Sequence, residues 1–149
     1  MSEISTIERE LQNGFKTAAI DYSYQSNLAY KPEFLSNDAS KGKKVLVSLE
    51  QELAVCDEFL ISVAFITKSG ITPLLQVLKA LERKGIPGKI LTTDYLFFSE
   101  PEALEKLAGL SNIELRMFCT DTETGGFHTK GYIFRQEEIY HIIVGSSNM

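Results

Sequence analysis

The chain is 149 residues long, which is the size of one ordinary domain. Hydrophobic residues make up 44% of it and charged residues 23%, a composition that excludes a disordered tail, a collagen and a disulfide scaffold. No apolar run approaches the ~20 residues of a membrane span, and the first residues carry no basic or apolar signal region. We therefore expect a cytoplasmic protein that makes no contact with a membrane.

The net charge and the cysteine content further limit the ligands and sites that we expect in this protein. A net charge of −5 argues against a whole-surface attraction for nucleic acid, although it leaves room for a small basic pocket that binds one phosphate. Cys56 and Cys119 are far apart, and no Cys/His cluster has the spacing of metal ligands. We expect two reduced cysteines packed as small hydrophobes, with no metal and no cofactor.

The N-terminal part of the chain predicts one helix followed by an arm. Apolar residues recur at helical spacing over residues 6–19, and Ser5 or Thr6 is placed to cap that helix. Residues 21–44 show no clear periodicity, which predicts a loop or an extended arm. We therefore expect residues 1–44 to form an N-terminal helix and extended arm that precede the main domain.

Helices and strands alternate from residue 45 onward. The pattern predicts a helix over 45–55, a strand over 58–66, a helix over 70–84, a strand over 89–93, a helix over 100–108 and a strand over 113–118. Ser69 and Ser99 are the expected N-caps of the second and third of these helices, and Gly85 is an expected C-terminal stop. The continuous apolar run at 58–66 is typical of a strand buried on both faces. This order predicts an α/β fold with crossover helices.

A hairpin follows a polar, glycine-rich loop at residues 120–126. Strands are predicted over 127–134 and 139–144, with a turn over 135–138. Hairpin strands are antiparallel, so the fold class becomes a mixed β-sheet flanked by helices. The chain ends soon after the second strand, at Met149, so we expect a domain over 45–149 that is truncated at its C-terminal end, as in a fragment of a longer protein.

The two informative segments are FHTK and GSSN, at the start and the end of this hairpin. His128 and Lys130 are two positions apart, so in a strand both side chains leave the same face. Ser146 and Asn148 share a face in the same way, and a hairpin places the two pairs side by side. An imidazole, an ammonium, a hydroxyl and a carboxamide around one small volume suit a phosphate or a phosphodiester.

The same groups suit chemistry at phosphorus. The neutral imidazole of His128 is a competent nucleophile that needs no metal to activate it. Charge that develops on the phosphoryl oxygens would be stabilised by Lys130 and Asn148. Either motif alone is a weak signal, because chance explains a His-x-Lys triplet and a turn explains Gly-Ser-Ser-Asn. Their joint occurrence around one hairpin is more specific.

A second candidate region follows the strand at residues 89–93. In α/β sheets, ligand contacts lie beyond the carboxyl ends of the strands. Thr93 and Tyr95 are placed there and are expected to line a substrate groove. Tyr95, Phe97 or Phe98 would offer a ring on which a base can stack, although core or loop packing also explains the two phenylalanines.

The pair of motifs resembles the signature of the phospholipase D superfamily, His-x-Lys followed by Gly-Ser-x-Asn. More narrowly, FHTKGYIF followed by IIVGSSNM resembles the phospholipase D-like nuclease domain at the N-terminus of some bacterial superfamily 2 DEAD/DEAH helicases and restriction-type proteins. The resemblance covers residues 45–149. It implies a phospholipase D-like fold with one motif per chain, and a metal-independent phosphodiesterase or nuclease module acting on DNA. It also implies an ATP-binding helicase domain in the same parent chain.

The resemblance assigns roles to the motif residues. His128 would be the nucleophile that forms a phosphohistidine intermediate. Lys130 and Asn148 would hold the phosphoryl oxygens, and Ser146 would orient the histidine or the phosphate. The remaining motif residues expected to contact the substrate are Gly145 and Ser147.

The chain departs from the family pattern at the acidic position. The family has an Asp five residues after the lysine, and here that position is Arg135. Counting back seven residues from Gly145 gives Glu138 instead, so the hairpin is longer than usual. The acidic catalytic residue is therefore expected to be Glu138, or else Glu137, or it is missing.

The chain holds one His-x-Lys motif, whereas the reaction needs one histidine to attack and another to protonate the leaving oxygen. His141 lies in an apolar strand, which predicts a structural role. In single-motif members of the superfamily two subunits meet at a two-fold axis, which implies a homodimer. A second motif encoded downstream is the alternative.

Two other functions remain open at this stage. A catalytically decayed domain that serves nucleic-acid binding or dimerisation is favoured by the missing Asp and the acidic charge. A phospholipid-processing enzyme is disfavoured, because the sequence has no membrane segment and no basic amphipathic surface.

Overall fold

A computed structural model of the chain describes residues 3–19, 30–37, 44–120 and 127–149. The chain divides into two compact units, Met1–Lys44 and Val45–Met149. In the first unit, α1 spans Glu3–Ala19. It begins before the predicted start, so Ser5 and Thr6 lie inside the helix and the prediction that either one caps it is wrong. Much of the arm predicted over 21–44 lies outside the described residues.

The second unit alternates helices and strands as predicted. Its elements are α2 (Val45–Val55), β1 (Glu58–Val63), α3 (Lys68–Ile71), α4 (Leu75–Lys84), β2 (Gly88–Thr93), α5 (Pro101–Ala108), β3 (Ile113–Phe118), β4 (Lys130–Gln136) and β5 (Ile139–Val144). Short 3-10 turns occupy Thr72–Leu74 and Tyr95–Phe97. Among the described residues, no helix is long and apolar enough to cross a bilayer.

Neither predicted serine cap forms. Thr67 caps α3, because its Oγ1 accepts a hydrogen bond from the Gly70 amide at 3.1 Å. Ser99 instead donates its hydroxyl to the carbonyl of Thr93 at 3.1 Å, and α5 starts at Pro101 with no side-chain cap. The predicted stop at Gly85 is confirmed, since this residue adopts the left-handed conformation with a φ of 69°.

The five strands form one sheet in the order β3-β2-β1-β4-β5. β1 pairs with β2, and β2 with β3, in parallel, while β4 runs antiparallel to both β1 and β5. The predicted mixed sheet flanked by helices is therefore confirmed. The hairpin turn is tighter than predicted: Gln136 pairs with Ile139, so only Glu137 and Glu138 form the turn.

The core lies on one face of the sheet. Phe59, Ile61 and Val63 of β1 are buried and alternate with half-buried residues, so the prediction that this strand is buried on both faces is wrong. The buried residues of α4 and α5 belong to this same core: Leu78, Leu81, Ala103 and Leu107. On the other face, Ile142 is 63% exposed and Val144 is 80% exposed.

The two cysteines have different surroundings. Cys56 is buried in the core, and burial raises the pKa of its thiol to about 11. Cys119 is exposed, so the prediction that both cysteines pack as small hydrophobes holds for Cys56 and is wrong for Cys119.

Gly88 provides a test of this packing. A Cβ atom at Gly88 would lie 2.0 Å from Cζ of the buried Phe59 ring, whereas a Cβ at Gly131, also in a strand, would meet nothing within 4 Å. We expect Gly88→Ala to lower the free energy of unfolding by about 1–3 kcal/mol, because the core would be overpacked. Gly131→Ala is the matched control and should change it by no more than about 0.5 kcal/mol. Urea unfolding of both variants measures the difference, and equal losses would contradict the close contact.

Candidate phosphate-binding site

The candidate site lies where β1 ends and β4 begins. Lys130 is the first residue of β4 and pairs with Val63, the last residue of β1. The Lys130 side chain is only 4% exposed. Its Nζ lies 2.5 Å from Nδ1 and 2.9 Å from Nε2 of His128, and it donates to the His128 carbonyl at 3.0 Å. The two side chains are in contact, but the strand predicted over 127–134 begins only at Lys130, so His128 lies in the segment before the strand and is exposed.

The Lys130 ammonium has no counter-ion among the residues that the structure describes, because none of them places a carboxylate within ion-pair distance of Nζ. A buried cation without an opposite charge carries a desolvation cost that hydrogen bonds to a neutral ring and a carbonyl offset only in part. Such a group has a strong electrostatic preference for an anion, since an anion would supply the missing charge.

Asn148 lies at the same end of β1. Its Oδ1 accepts hydrogen bonds from the amides of Ala64 at 3.1 Å and Phe65 at 3.3 Å, which directly follow the strand. This pair of bonds fixes the orientation of the carboxamide. The Nδ2 group has no hydrogen-bond partner in the described part of the chain, so its two N–H donors are available to a ligand.

A buried tyrosine holds the GSSN segment against the sheet. Tyr132 is 1% exposed and donates its hydroxyl to the Ser147 carbonyl at 2.7 Å. Burial raises the pKa of this phenol to about 12. The Gly145 amide also donates to the Lys130 carbonyl, at 3.1 Å. These bonds set the path of the backbone that delivers Asn148.

Met149 anchors the other end of this segment. Its side chain is buried at 2% exposure, and its carbonyl accepts a hydrogen bond from the Thr67 amide at 2.6 Å. A Cβ atom at Gly70 would overlap the Met149 backbone, which explains the glycine there. Asn148 is therefore held between two fixed neighbours in the chain.

Sequence reasoning missed Tyr132 and Met149 as residues that support the site. Tyr132 carries a readable signal, because it follows Lys130 by two positions and so lies on the same buried face of β4. A buried tyrosine hydroxyl needs a hydrogen-bond partner, and here the chain after β5 provides it. No sequence pattern indicates the role of Met149.

The two serines of the motif differ in exposure. Ser146 is exposed, and its hydroxyl has no hydrogen-bond partner among the residues described. Ser147 is half-buried and takes part through its carbonyl. Gly145 is exposed, with open space where a Cβ would lie.

Tyr95 reaches the site and Thr93 positions it. The Tyr95 and His128 rings make an edge-to-face contact with their centroids 6.1 Å apart. Thr93 is fully buried, and its Oγ1 accepts a hydrogen bond from the Tyr95 amide at 2.7 Å. The hydroxyl of Thr93 is thus engaged in holding the loop that carries Tyr95.

The structure does not bring Glu138 to His128. Glu138 is exposed in the hairpin turn, beyond the opposite end of β4, and a strand of this length separates it from Lys130 by roughly 20 Å. Arg135, at the position of the family's Asp, lies near that end too and pairs with Glu58 at 3.3 Å. An acidic partner from this part of the chain is absent from the site.

His141 occupies a different place. It pairs with Phe134 in the hairpin, and its Nδ1 lies 2.8 Å from the carboxylate of Glu52 on α2. This contact links β5 to α2. Its geometry agrees with the structural role expected for it, and it leaves His128 as the one histidine at the site.

No protein family model matches the chain, and no curated protein is significantly similar to it. The described residues also contain no group of three or more His, Cys, Asp or Glu side chains arranged to hold a metal ion.

The Tyr132 hydrogen bond generates a pH-dependent prediction. The phenol is neutral in the fold, and its pKa is raised from the ordinary 10.0 to about 12 by burial. The stabilisation that is linked to this raised pKa is fully present below pH 10, and it is lost as the pH rises toward 12. We expect the native protein to lose more stability over this range than Tyr132→Phe, as measured by urea unfolding at several pH values.

Tyr132→Phe should also cost about 0.5–1.5 kcal/mol at neutral pH, because the Ser147 carbonyl loses its donor. Tyr140→Phe is the matched control, since Tyr140 is 57% exposed on β5. Identical alkaline profiles for the native protein and Tyr132→Phe would show that this phenol does not control alkaline stability.

Proposed function

We propose that residues 45–149 form a phospholipase D-like phosphodiesterase module that cleaves DNA without a metal ion, through a phosphohistidine on His128. The observation that carries the proposal is the buried Lys130 ammonium, which touches the His128 imidazole and meets no carboxylate among the described residues. Asn148 supports it, since its Nδ2, which no described residue binds, lies at the same end of β1. The helicase domain implied by the resemblance would lie elsewhere in the parent chain.

The reaction would proceed in two displacements. A ring nitrogen of His128 attacks phosphorus, a P–N bond forms, and the P–O bond to the leaving nucleoside breaks as an acid protonates the departing oxygen. Water then attacks the phosphohistidine, the P–N bond breaks, and the imidazole is restored with release of the phosphomonoester. Lys130 and the Asn148 Nδ2 would donate to the non-bridging oxygens, where charge develops in both transition states.

The resting contact between Lys130 and His128 fits this scheme. An imidazole nitrogen can accept a hydrogen bond from an ammonium only when that nitrogen carries its lone pair, which is also the form needed for attack. When an anionic diester arrives, the ammonium gains a charged acceptor, and charge-assisted hydrogen bonds are stronger than bonds to a neutral ring. Lys130 would then move its donors from the histidine to the phosphate.

The second histidine of the chain does not reach this site to protonate the leaving group. His141 is held by Glu52 and lies opposite Phe134, four residues along β4 from Lys130, which is roughly 13 Å. We propose that a second copy of the chain supplies its His128 across a two-fold axis, as a homodimer. Sedimentation of the parent protein as a strict monomer with no second motif would contradict this assembly.

The first test is loss of the nucleophile. We expect DNA cleavage to persist in EDTA and to be abolished in His128→Ala, because no covalent route remains. A phosphohistidine should be trapped on His128 after rapid quenching of the native protein. Glu138→Gln is the matched control and should retain the native rate, since Glu138 lies at the other end of the hairpin.

Two other results would contradict cleavage through a phosphohistidine. Activity that requires Mg²⁺ and survives in His128→Ala would refute the phosphohistidine mechanism. DNA binding with no cleavage and no trapped intermediate would favour the alternative of a decayed domain that binds nucleic acid or dimerises.

Lys130 gives a test in which stability and activity move in opposite directions. Lys130→Met keeps an unbranched side chain that is one atom shorter, and it removes a buried charge that has no counter-ion in the described part of the chain. We expect the free energy of unfolding to rise by on the order of 1 kcal/mol or more. Cleavage should fall by roughly 10²–10³-fold, because a donor to the transition state is lost.

Urea unfolding and single-turnover cleavage of the same preparation measure both effects. Lys89→Met, at an exposed position of β2, is the control and should change neither quantity appreciably. A Lys130→Met protein that is less stable than the native one would show that Lys130 is a structural residue.

A further inference from the structure

Aromatic side chains collect at the sheet edge that carries His128. Phe118 ends β3, and its ring lies 5.9 Å from that of Phe127, the residue before His128. Tyr95 contacts the His128 ring directly. We call the following set the aromatic rim: Tyr95, Phe97, Phe98, Phe118 and Phe127.

Several rim side chains are exposed to solvent. Phe97 is 90% exposed, Phe98 is 52% exposed and Phe118 is 42% exposed. The Phe98 ring packs against Phe65 in an edge-to-face contact, with 5.5 Å between the ring centroids. Core packing therefore explains part of the rim and does not explain Phe97.

The backbone that carries Phe97 is strained. Leu96 and Phe97 have φ values of 52° and 54°, in the left-handed region that bulky side chains avoid. Residues persist there only where the surrounding structure fixes them, and such positions cluster at functional sites. The Phe97 ring is exposed, so packing of this ring in the core does not account for the left-handed backbone.

Hydrogen bonds on both sides of the strained pair fix the loop. The Phe97 amide donates to the Asp94 carbonyl at 2.8 Å, and the Asp94 carboxylate accepts from both the amide and the hydroxyl of Thr120 at 2.7 Å. On the other side, the Ser99 hydroxyl donates to the Thr93 carbonyl. These hydrogen bonds fix the loop that presents Phe97 to solvent.

The overall charge indicates which ligand suits this rim. With a net charge of −5, the chain gains little from a general attraction to a phosphate backbone. Affinity for a nucleic acid must then come from contacts other than charge. Stacking of bases on aromatic rings supplies such affinity, and it needs bases that are not already stacked in a duplex.

We propose that the aromatic rim binds the bases of single-stranded DNA next to the His128–Lys130 pair. This inference rests on the proposed function for the phosphodiester, and it names the substrate class as single-stranded or locally unpaired DNA. The Phe97 ring would stack on one base, while the phosphate of the strand reaches Lys130.

The test measures binding separately from cleavage. The probe is a fluorescein-labelled oligothymidylate of about twelve nucleotides, with the matching duplex as competitor, in EDTA with the full chain. Every protein compared in this assay carries His128→Ala, so that the proposed cleavage cannot consume the probe, and native here refers to residue 97. We expect Phe97→Ala and Phe97→Leu each to weaken binding roughly 5- to 150-fold, the effect of one lost stacking contact. Phe97→Trp should bind at least as tightly as the native protein.

Two control variants show whether a loss of oligonucleotide binding is specific to the Phe97 ring. Leucine keeps an apolar side chain without a ring, so it separates stacking from simple apolar contact. Val55→Ala removes a 61% exposed apolar side chain at the end of α2, just before β1 begins and so at the opposite end of the sheet, and should leave binding unchanged.

Three outcomes would overturn the proposal. Phe97→Leu that binds the oligonucleotide like the native protein would exclude stacking, and equal affinity for the duplex would exclude a single-stranded ligand. The protein could instead sediment with phosphatidylcholine vesicles, with this binding lost in Phe97→Ala and kept in Phe97→Leu. That result would show that the exposed Phe97 loop binds a membrane.

The failures of the two proposals are distinguishable. Ring-dependent binding without cleavage or a trapped phosphohistidine would retain the rim and reject the phosphodiesterase. Cleavage that depends on His128, with unchanged oligonucleotide affinity in Phe97→Leu, would retain the phosphodiesterase and reject the rim.

Discussion

The antiparallel pairing of β4 with the central strand β1 is the constraint on which the site depends. Its register sets Val63 opposite Lys130 and so brings the start of β4 to the carboxyl end of the parallel strands. That edge is where α/β sheets present ligand-binding groups. A slip of one residue would turn Lys130 to the open face of the sheet and expose Phe134, which is buried completely. The core therefore specifies the position of the site.

The sequence predicted that His128 and Lys130 lie together, because residues two positions apart share a strand face. Their side chains are in contact, but for another reason: β4 begins only at Lys130, and His128 is exposed in the segment before it. The contact forms because the Lys130 Nζ reaches back to the ring and the carbonyl of His128. The wrong predictions of Ser69 and Ser99 as helix caps depend on competition between neighbouring polar groups. Thr67 caps α3 in place of Ser69, and Ser99 bonds to Thr93 across the loop, since each hydroxyl has more than one backbone group within reach. Periodicity carries no information on that choice.

Long-range contacts form the other group that sequence reasoning missed. The Asn148 carboxamide reaches amides more than eighty residues away, at Ala64 and Phe65. Tyr132 reaches across the hairpin to Ser147. Counting along the chain placed Glu138 in the acidic role, but the tight turn leaves this residue at the far end of β4. Spacing along a sequence indicates a shared strand face, and it does not indicate which end of a hairpin a residue occupies.

The features that violate the ordinary rules of folding lie together. Lys130 is a buried cation to which no described residue offers a counter-ion, and Leu96 and Phe97 are bulky residues in left-handed conformations. Each lowers the stability of the free protein, and both are connected to His128, one through its Nζ contact and the other through the neighbouring Tyr95. Proteins depart from local consistency chiefly where function requires it. A ligand that neutralises Lys130 and covers Phe97 would relieve two of these costs at once, so one anionic, aromatic ligand accounts for both departures better than two unrelated structural causes do.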